Sequence, residues 1–146
     1  MPSSIKKQSL TMFTAQSTTS AAPTSIANPV QGVDLGQMRY PNEVMCMIHN
    51  TAAGGGSNSI TCKAWGYHPA TEFWYPLGTD ATSANKGLLN EGNAMTITGG
   101  TAVNDVRHVE IISGLRGFSH LYIQITAIAG GLTATCVIAA RDLGNR

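Results

Sequence analysis

The segment from residue 118 to residue 141, FSHLYIQITAIAGGLTATCVIAAR, constrains the fold more than any other part of the chain. A membrane-spanning helix needs about 20 predominantly apolar residues in a row, and here threonines, Gln124 and the Gly130-Gly131 pair interrupt the run. Apolar and polar residues alternate on both sides of the glycines, and this period of two predicts two half-buried strands. The predicted apolar face comprises Leu121, Ile123, Ile125, Ala127 and Ala129 before the glycines, and Leu132, Ala134, Cys136, Ile138 and Ala140 after them.

The Gly130-Gly131 pair predicts that these two strands form a long antiparallel hairpin, because glycine readily adopts the positive φ angles of a two-residue turn. A lone hairpin is not stable in water. The apolar face is therefore expected to pack against a second sheet or against a neighbouring subunit.

From Tyr40 onward the chain has the pattern of short strands separated by turns. Counting the N-terminal segment, it predicts about seven to nine strands and no long helix. This pattern is typical of an all-β fold, an antiparallel β-sandwich or jelly roll. Strands are expected at 43–50, 60–68, 71–79, 94–99 and 106–113, with loops at 51–59 and 80–93, and the residues predicted to face inward are Val44, Cys46, Ile48, Ile60, Cys62, Ala64, Val109 and Ile111.

Residues 1–40 differ from the rest because they are rich in Ser, Thr and Ala and contain prolines at 23 and 29. Such a segment buries little apolar surface. It is predicted to be an extended N-terminal arm, with the β-sandwich domain at residues 41–146. The alternative is that the segment packs as an edge strand on its own domain.

The charge content narrows the classes of partner. Charged residues make up 12% of the chain and the net charge is +1, whereas a soluble domain typically carries about 25% charged residues. A surface this poor in charge loses little free energy when it is dehydrated, which favours burial in an assembly. Electrostatic nucleic-acid binding needs clustered Lys and Arg, and Lys6-Lys7 is the one basic pair. Neither a nucleic acid nor a membrane is expected as a partner.

The three cysteines, Cys46, Cys62 and Cys136, lie on the apolar faces of predicted strands. Their odd number and irregular spacing do not indicate a disulfide framework. They are predicted to be buried free thiols, since a free cysteine behaves as a small apolar residue.

No residue set predicts catalysis, a metal or a cofactor. His108 and Glu110 share a strand face and supply two potential zinc ligands, but no third ligand is evident. Ser113 lies outside the Gly-x-Ser-x-Gly pattern of a hydrolase nucleophile. Cys46 and His49, three residues apart on a strand, face opposite sides. The chain is therefore expected to be non-enzymatic.

The aromatic residues are the candidate interface residues: Phe13, Trp65, Tyr67, Trp74 and Tyr75. Four of them are close together in the chain, around a predicted strand, turn and strand. Three interpretations of these four remain open, namely packing into the core, contact with another subunit, and stacking on sugar rings as in carbohydrate-binding modules.

The run that begins with FWYPLGT at residue 73 and ends at residue 141 resembles small virion proteins of tailed bacteriophages. Those proteins carry a strand of the type Trp-x-Pro-Leu-Gly, later a strand ending in Gly, an aromatic residue after a Gly, and a closing hairpin rich in Thr and Ala. The matching residues are Trp74, Pro76, Leu77, Gly78, Gly114, Gly117, Phe118 and the predicted hairpin at 119–140. The resemblance covers about half of the chain.

The resemblance implies a β-sandwich or jelly-roll protein on the outside of a capsid or in a tail, and capsid decoration (cement) proteins fit best. The expected function is to stabilise the phage head through subunit contacts, in the virion, after synthesis in the host cytoplasm. The expected partners are further copies of the chain, as a trimer, and the major capsid protein or other virion proteins. The alternatives are a carbohydrate- or receptor-binding module of a tail fibre, and a small tail or head-to-tail connector protein.

Overall fold

The computed structural model describes residues 8–24, 31–52, 58–77, 95–97 and 107–140. Within these ranges the chain forms two antiparallel sheets around one core, so the predicted all-β sandwich is confirmed. A short 3₁₀ helix, Leu35–Met38, follows the second strand, and no described helix is long and apolar enough to cross a membrane. The strands are β1 (Ser9–Gln16), β2 (Val33–Asp34), β3 (Val44–Ala52), β4 (Asn58–His68), β5 (Phe73–Pro76), β6 (Met95–Ile97), β7 (Arg107–Ile112), β8 (His120–Ala129) and β9 (Thr133–Ala140).

The two sheets divide the strands between them. The first sheet has the order β1-β9-β3-β7, and the second has the order β2-β8-β4-β5 with β6 also paired to β4. The inward faces of β3 and β4 are those that the alternation predicts, and each of their six side chains is at most 1% exposed. Most of the predicted loop at 51–59 and all of that at 80–93 lie outside the described residues.

The predicted hairpin of β8 and β9 is wrong, because the two strands belong to different sheets. β8 pairs with β2 and β4, whereas β9 pairs with β1 and β3. Gly130 and Gly131 do have positive φ angles, 81° and 77°, but the turn carries the chain across the core. The physical reason is that a hairpin places both apolar faces side by side on one sheet. The crossing instead buries the apolar faces of both strands in one core shared by the two sheets.

The predicted apolar face of β8 holds only as far as Ile125. The pairing of β4 with β8 shifts register between Thr61 and Cys62, and Thr126 is the extra residue on β8. One extra residue reverses the alternation of side chains in the strand that carries it. As a result Ile128 packs against the core, and Ala127 is exposed.

The predicted inward face of β7 is also wrong. Val109 and Ile111 are 56% and 41% exposed, whereas Ile112 is buried. Ile112 lies opposite Val44 of β3, and directly opposed residues of antiparallel strands share a face. Val109 consequently lies with Met47 on the outer face of the first sheet. The sequence did not resolve this, because β7 carries apolar side chains on both faces.

The extended arm predicted for residues 1–40 is not confirmed. Within the described part of this segment, β1 is an edge strand of the first sheet, and Leu10 of β1 is buried. Leu35 and Met38 of the 3₁₀ helix also belong to the core. The alternative of an edge strand therefore describes Ser9–Gln16, and Tyr40 does not mark the start of the sandwich. Residues 1–7 and 25–30 lie outside the described residues.

The three cysteines are free and buried, as predicted. The Sγ atoms of Cys46 and Cys136 lie 3.6 Å apart in the first sheet. Burial, with a smaller effect of Cys46, raises the pKa of the Cys62 thiol far above its ordinary value of 9.0. Hydrogen bonding with Cys46, followed by burial, raises the pKa of Cys136. Both thiols therefore stay protonated in the folded chain at any pH near neutrality.

The raised thiol pKa values predict a loss of stability at alkaline pH. Above the ordinary pKa of 9.0, a thiol ionises in the unfolded chain but not in the folded one. Each such thiol lowers the free energy of unfolding by about 1.4 kcal/mol per pH unit. We expect the Cys62→Ala variant to show a shallower decline than the parent chain when denaturant unfolding is measured between about pH 8 and about pH 10.5. Parallel pH profiles of the two chains would contradict this prediction.

A matched pair of glycines tests how tightly β2 approaches β8. Gly32 and Gly114 have similar φ angles of 78° and 73°, but a Cβ atom on Gly32 would lie 2.4 Å from the carbonyl oxygen of Leu121, whereas one on Gly114 would meet nothing within 4 Å. We expect Gly114→Ala to lower the free energy of unfolding by about 1 kcal/mol, from the φ angle alone. Gly32→Ala should lower it by about 3 kcal/mol, since backbone must also move. Equal losses in chemical denaturation would show that β2 does not hold this position.

Candidate functional site

An apolar surface covers the outer side of the first sheet. It forms because odd-numbered residues of β3, β7 and β9 point away from the core and lie opposite one another in two rows. We call this surface the apolar outer face, and its members are Met45, Met47, Val109, Ile111, Val137 and Ala139. Val109 and Ile111 are its most exposed members, and the other four are half-buried.

Polar residues border the apolar outer face. On the β1 side, Ser9 lies opposite Ala139 and Thr11 lies opposite Val137. The next row along the strands holds Arg107, His49 and Thr135. Apolar side chains on the outer side of a sheet, bordered by polar ones, form a surface on which another protein can pack.

The sequence contained a signal for this face. The strand VMCMIH in β3 is apolar at both odd and even positions. Strands that are apolar on both faces are typically covered on both sides. The even positions of β3 are covered by the second sheet, and the odd positions, Met45 and Met47, have no sheet of the described residues over them.

His108 and Glu110 do share a strand face, as predicted. His108 Nε2 lies 2.9 Å from Glu110 Oε1, and the two side chains are 20% and 30% exposed. They lie opposite Ile48 and Cys46, on the side of β7 that faces the second sheet. The pair hydrogen-bonds internally, and no group of three His, Cys, Asp or Glu side chains within the described ranges is placed to hold a metal ion.

Two of the predicted aromatic residues, Tyr67 and Trp74, belong to a packed aromatic layer on the outer side of the second sheet. Tyr67 lies between Trp74 of β5 and His120 of β8, and its ring centroid is 5.3 Å from that of Trp74. Trp74 also meets Tyr122 edge to face at 6.2 Å. Tyr67 is only 2% exposed. The indole N–H of Trp74 is buried and has no acceptor among the described residues, which places it within the aromatic layer rather than at its surface.

Trp65 already has partners within the chain. Its Nε1 atom donates to Gln124 Oε1 at 2.9 Å, and the ammonium group of Lys63 lies 4.6 Å from the ring centroid. A sugar stacks on a free aromatic face and hydrogen-bonds to free polar atoms. At Trp65 both are engaged, since a cation contacts the ring and an amide accepts from its nitrogen.

Tyr75 and Phe13 lie apart from this layer. Tyr75 is 39% exposed, and its ring centroid lies 6.3 Å from that of Phe118. Phe13 is half-buried in β1, where it lines an apolar cavity of about 200 Å³ together with Ile123 and Ile125. The predicted interface residues therefore occupy three different places, and their role in an interface stays a prediction.

A short run after β1, around Ser20, hydrogen-bonds to β8. The Ser20 N–H donates to the carbonyl oxygen of Ile125 at 2.9 Å, and the Ile125 N–H donates to Ser20 Oγ at 2.9 Å. Gln124 Nε2 donates to the carbonyl oxygen of Ser20, and the Tyr122 hydroxyl donates to that of Ala21, both at 3.1 Å. These four bonds hold the predicted arm against its own domain.

The Ser20→Ala variant tests this attachment. Loss of the hydroxyl leaves the Ile125 N–H without its acceptor, so we expect the free energy of unfolding to fall by about 1 kcal/mol. Amide hydrogen exchange at Ile125 should become about fivefold faster, which is the change in rate that corresponds to about 1 kcal/mol. The control is Ser17→Ala, an exposed serine of the same run. Unchanged exchange at Ile125 would mean that the Ser20 hydroxyl does not protect this edge.

Comparisons with protein-family models, with curated proteins and with solved structures found no match to this chain. The case for a function is therefore made by the surfaces themselves, above all by the apolar outer face of the first sheet.

Proposed function

We propose that the chain is a non-enzymatic structural protein of a virion, a capsid decoration (cement) protein that stabilises a phage head through subunit contacts. The observation that carries this proposal is the apolar outer face, which offers exposed apolar side chains to a protein partner. Two further features support it: the low charge content of the chain, and the resemblance of the run from residue 73 to residue 141 to small phage virion proteins.

The size of the apolar outer face suggests how it is used. Three strands spaced about 4.8 Å apart, with two rows about 6.8 Å apart along them, give a footprint of about 200 Å². Burying that area contributes about 5 kcal/mol at 25 cal/mol per Å². The loss of translational and rotational freedom on association costs about as much or more. One such contact alone is weak, so it is effective only where several contacts act together.

A viral shell supplies that condition. Many identical copies on a symmetric surface convert weak contacts into strong attachment, because each further contact forms at a high effective concentration. In this proposal the chain self-associates, with the trimer that the resemblance implies, and it contacts the major capsid protein or other virion proteins. It is made in the host cytoplasm and resides in the virion.

The Met47→Glu variant tests the proposal. Met47 lies at the centre of the apolar outer face, between Val109 and Val137, so a carboxylate there must be dehydrated on docking. We expect occupancy on emptied heads of the encoding virus, measured by co-sedimentation, to fall about tenfold or more. The control is Gln37→Glu, which adds the same charge at an exposed position of the 3₁₀ helix.

The outcomes separate the candidate functions. Equal binding of both variants and the parent chain would show that the apolar outer face does not carry attachment. Absence of parental binding to heads, together with electron-microscopic labelling of tails or of the head-to-tail junction, would replace the decoration role by a tail or connector role.

A further inference from the structure

Among the described strands, β7 is an edge of the first sheet. It pairs with β3 on one side, and no other strand of the described ranges pairs with it on the other. An edge strand presents a row of backbone N–H and C=O groups to any strand that approaches, and proteins usually blunt it with charged side chains, Pro or a bulge. The six residues of β7, RHVEII, contain no Pro, their pairing with β3 has no register shift, and their charged residues are Arg107 and Glu110.

The sequence of β7 is complementary to itself in one antiparallel register. If Val109 lies opposite Val109 of a second copy, His108 lies opposite the second copy's Glu110, and Arg107 lies opposite its Ile111. In this register the Arg stem packs on an apolar side chain. His108 and Glu110 already hydrogen-bond to each other within one copy at 2.9 Å, and each lies opposite the complementary group of the second copy and not opposite a like one. The registers centred one residue away place Glu110 opposite Glu110, or His108 opposite His108.

The faces of the sheet support the same register. A two-fold axis perpendicular to the sheet keeps the outer face of both copies on one side, and only registers centred on a residue preserve this. Val109 and Ile111, which are 56% and 41% exposed in one copy, then lie beside their counterparts. The two apolar outer faces become one continuous surface.

We infer that β7 is a self-association edge, at which two copies of the chain pair antiparallel across a two-fold axis through Val109. This inference rests on the proposed function, because it names the partner that shares the apolar outer face with each copy. A five-residue ladder is short and forms a weak contact by itself. It links copies on neighbouring capsomers and is compatible with a trimer formed through a different surface.

A charge-swap experiment tests the register. The variants Val109→Lys and Val109→Glu each place like charges face to face on the two-fold axis, so each variant should self-associate about tenfold more weakly than the parent chain. An equimolar mixture of the two should restore association as a one-to-one pair, because Lys then lies opposite Glu. Sedimentation velocity over a concentration series measures all four samples, and the rescue should weaken as salt is added.

The control variants are Thr11→Lys and Thr11→Glu. Thr11 is an exposed residue on the opposite edge strand, at the far end of the row that contains Val109. These variants should self-associate as strongly as the parent chain, and mixing them should not strengthen association. Far-ultraviolet circular dichroism checks that every variant is folded.

Several results overturn the inference: a parent chain that is monomeric throughout the series, Val109 variants with the parental mass, or a mixture that is no larger than its components. Binding to emptied heads separates this failure from failure of the proposed function. A chain that binds heads through its apolar outer face but shows no charge-swap rescue overturns the β7 contact alone. A chain that shows the rescue but binds no heads overturns the decoration role and supports the β7 contact.

Discussion

The burial of the apolar faces of β8 and β9 in one shared core is the constraint on which the rest of the structure depends. Each strand has one apolar face, and the Gly130-Gly131 turn, with both φ angles positive, carries the chain from one sheet to the other. Once these faces are buried, each of the two strands pairs with further strands along both of its edges. β3 and β1 add to β9, and β4 and β2 add to β8. One crossing of the core therefore decides that β8 and β9 belong to different sheets.

Much of the fold could be predicted because burial leaves a period of two in the sequence. The inward faces of β3, β4 and β9, and the three buried cysteines, followed from that period alone. The partner of each face did not, because the pattern tells which side chains leave water and not which strand covers them. A Gly-Gly turn suits a hairpin and a crossing equally. Thr126 shows a second limit, since a single extra residue reverses a face without any change in composition.

The candidate site was harder to predict than the fold. Trp65, Tyr67 and Trp74 are of a residue type that is frequent at interfaces. In the structure Tyr67 and Trp74 contact each other, and Trp65 contacts Gln124 and Lys63 within the second sheet. The apolar outer face consists instead of Met, Val, Ile and Ala, which are residue types common in protein cores. Val109 and Ile111 were assigned inward for that reason. Only the register of β7 against β3 shows that they face outward.

An exposed apolar face and an edge strand on the same sheet would favour aggregation of a monomeric protein, because both promote non-specific association. In the proposed β7 contact the polar residues of the edge give specificity, because the registers centred one residue away from Val109 place Glu110 opposite Glu110, or His108 opposite His108. The footprint of the apolar outer face is too small to hold a partner firmly by itself. Weak contacts that require a defined register favour ordered assembly over aggregation, since a misplaced copy dissociates before others add to it.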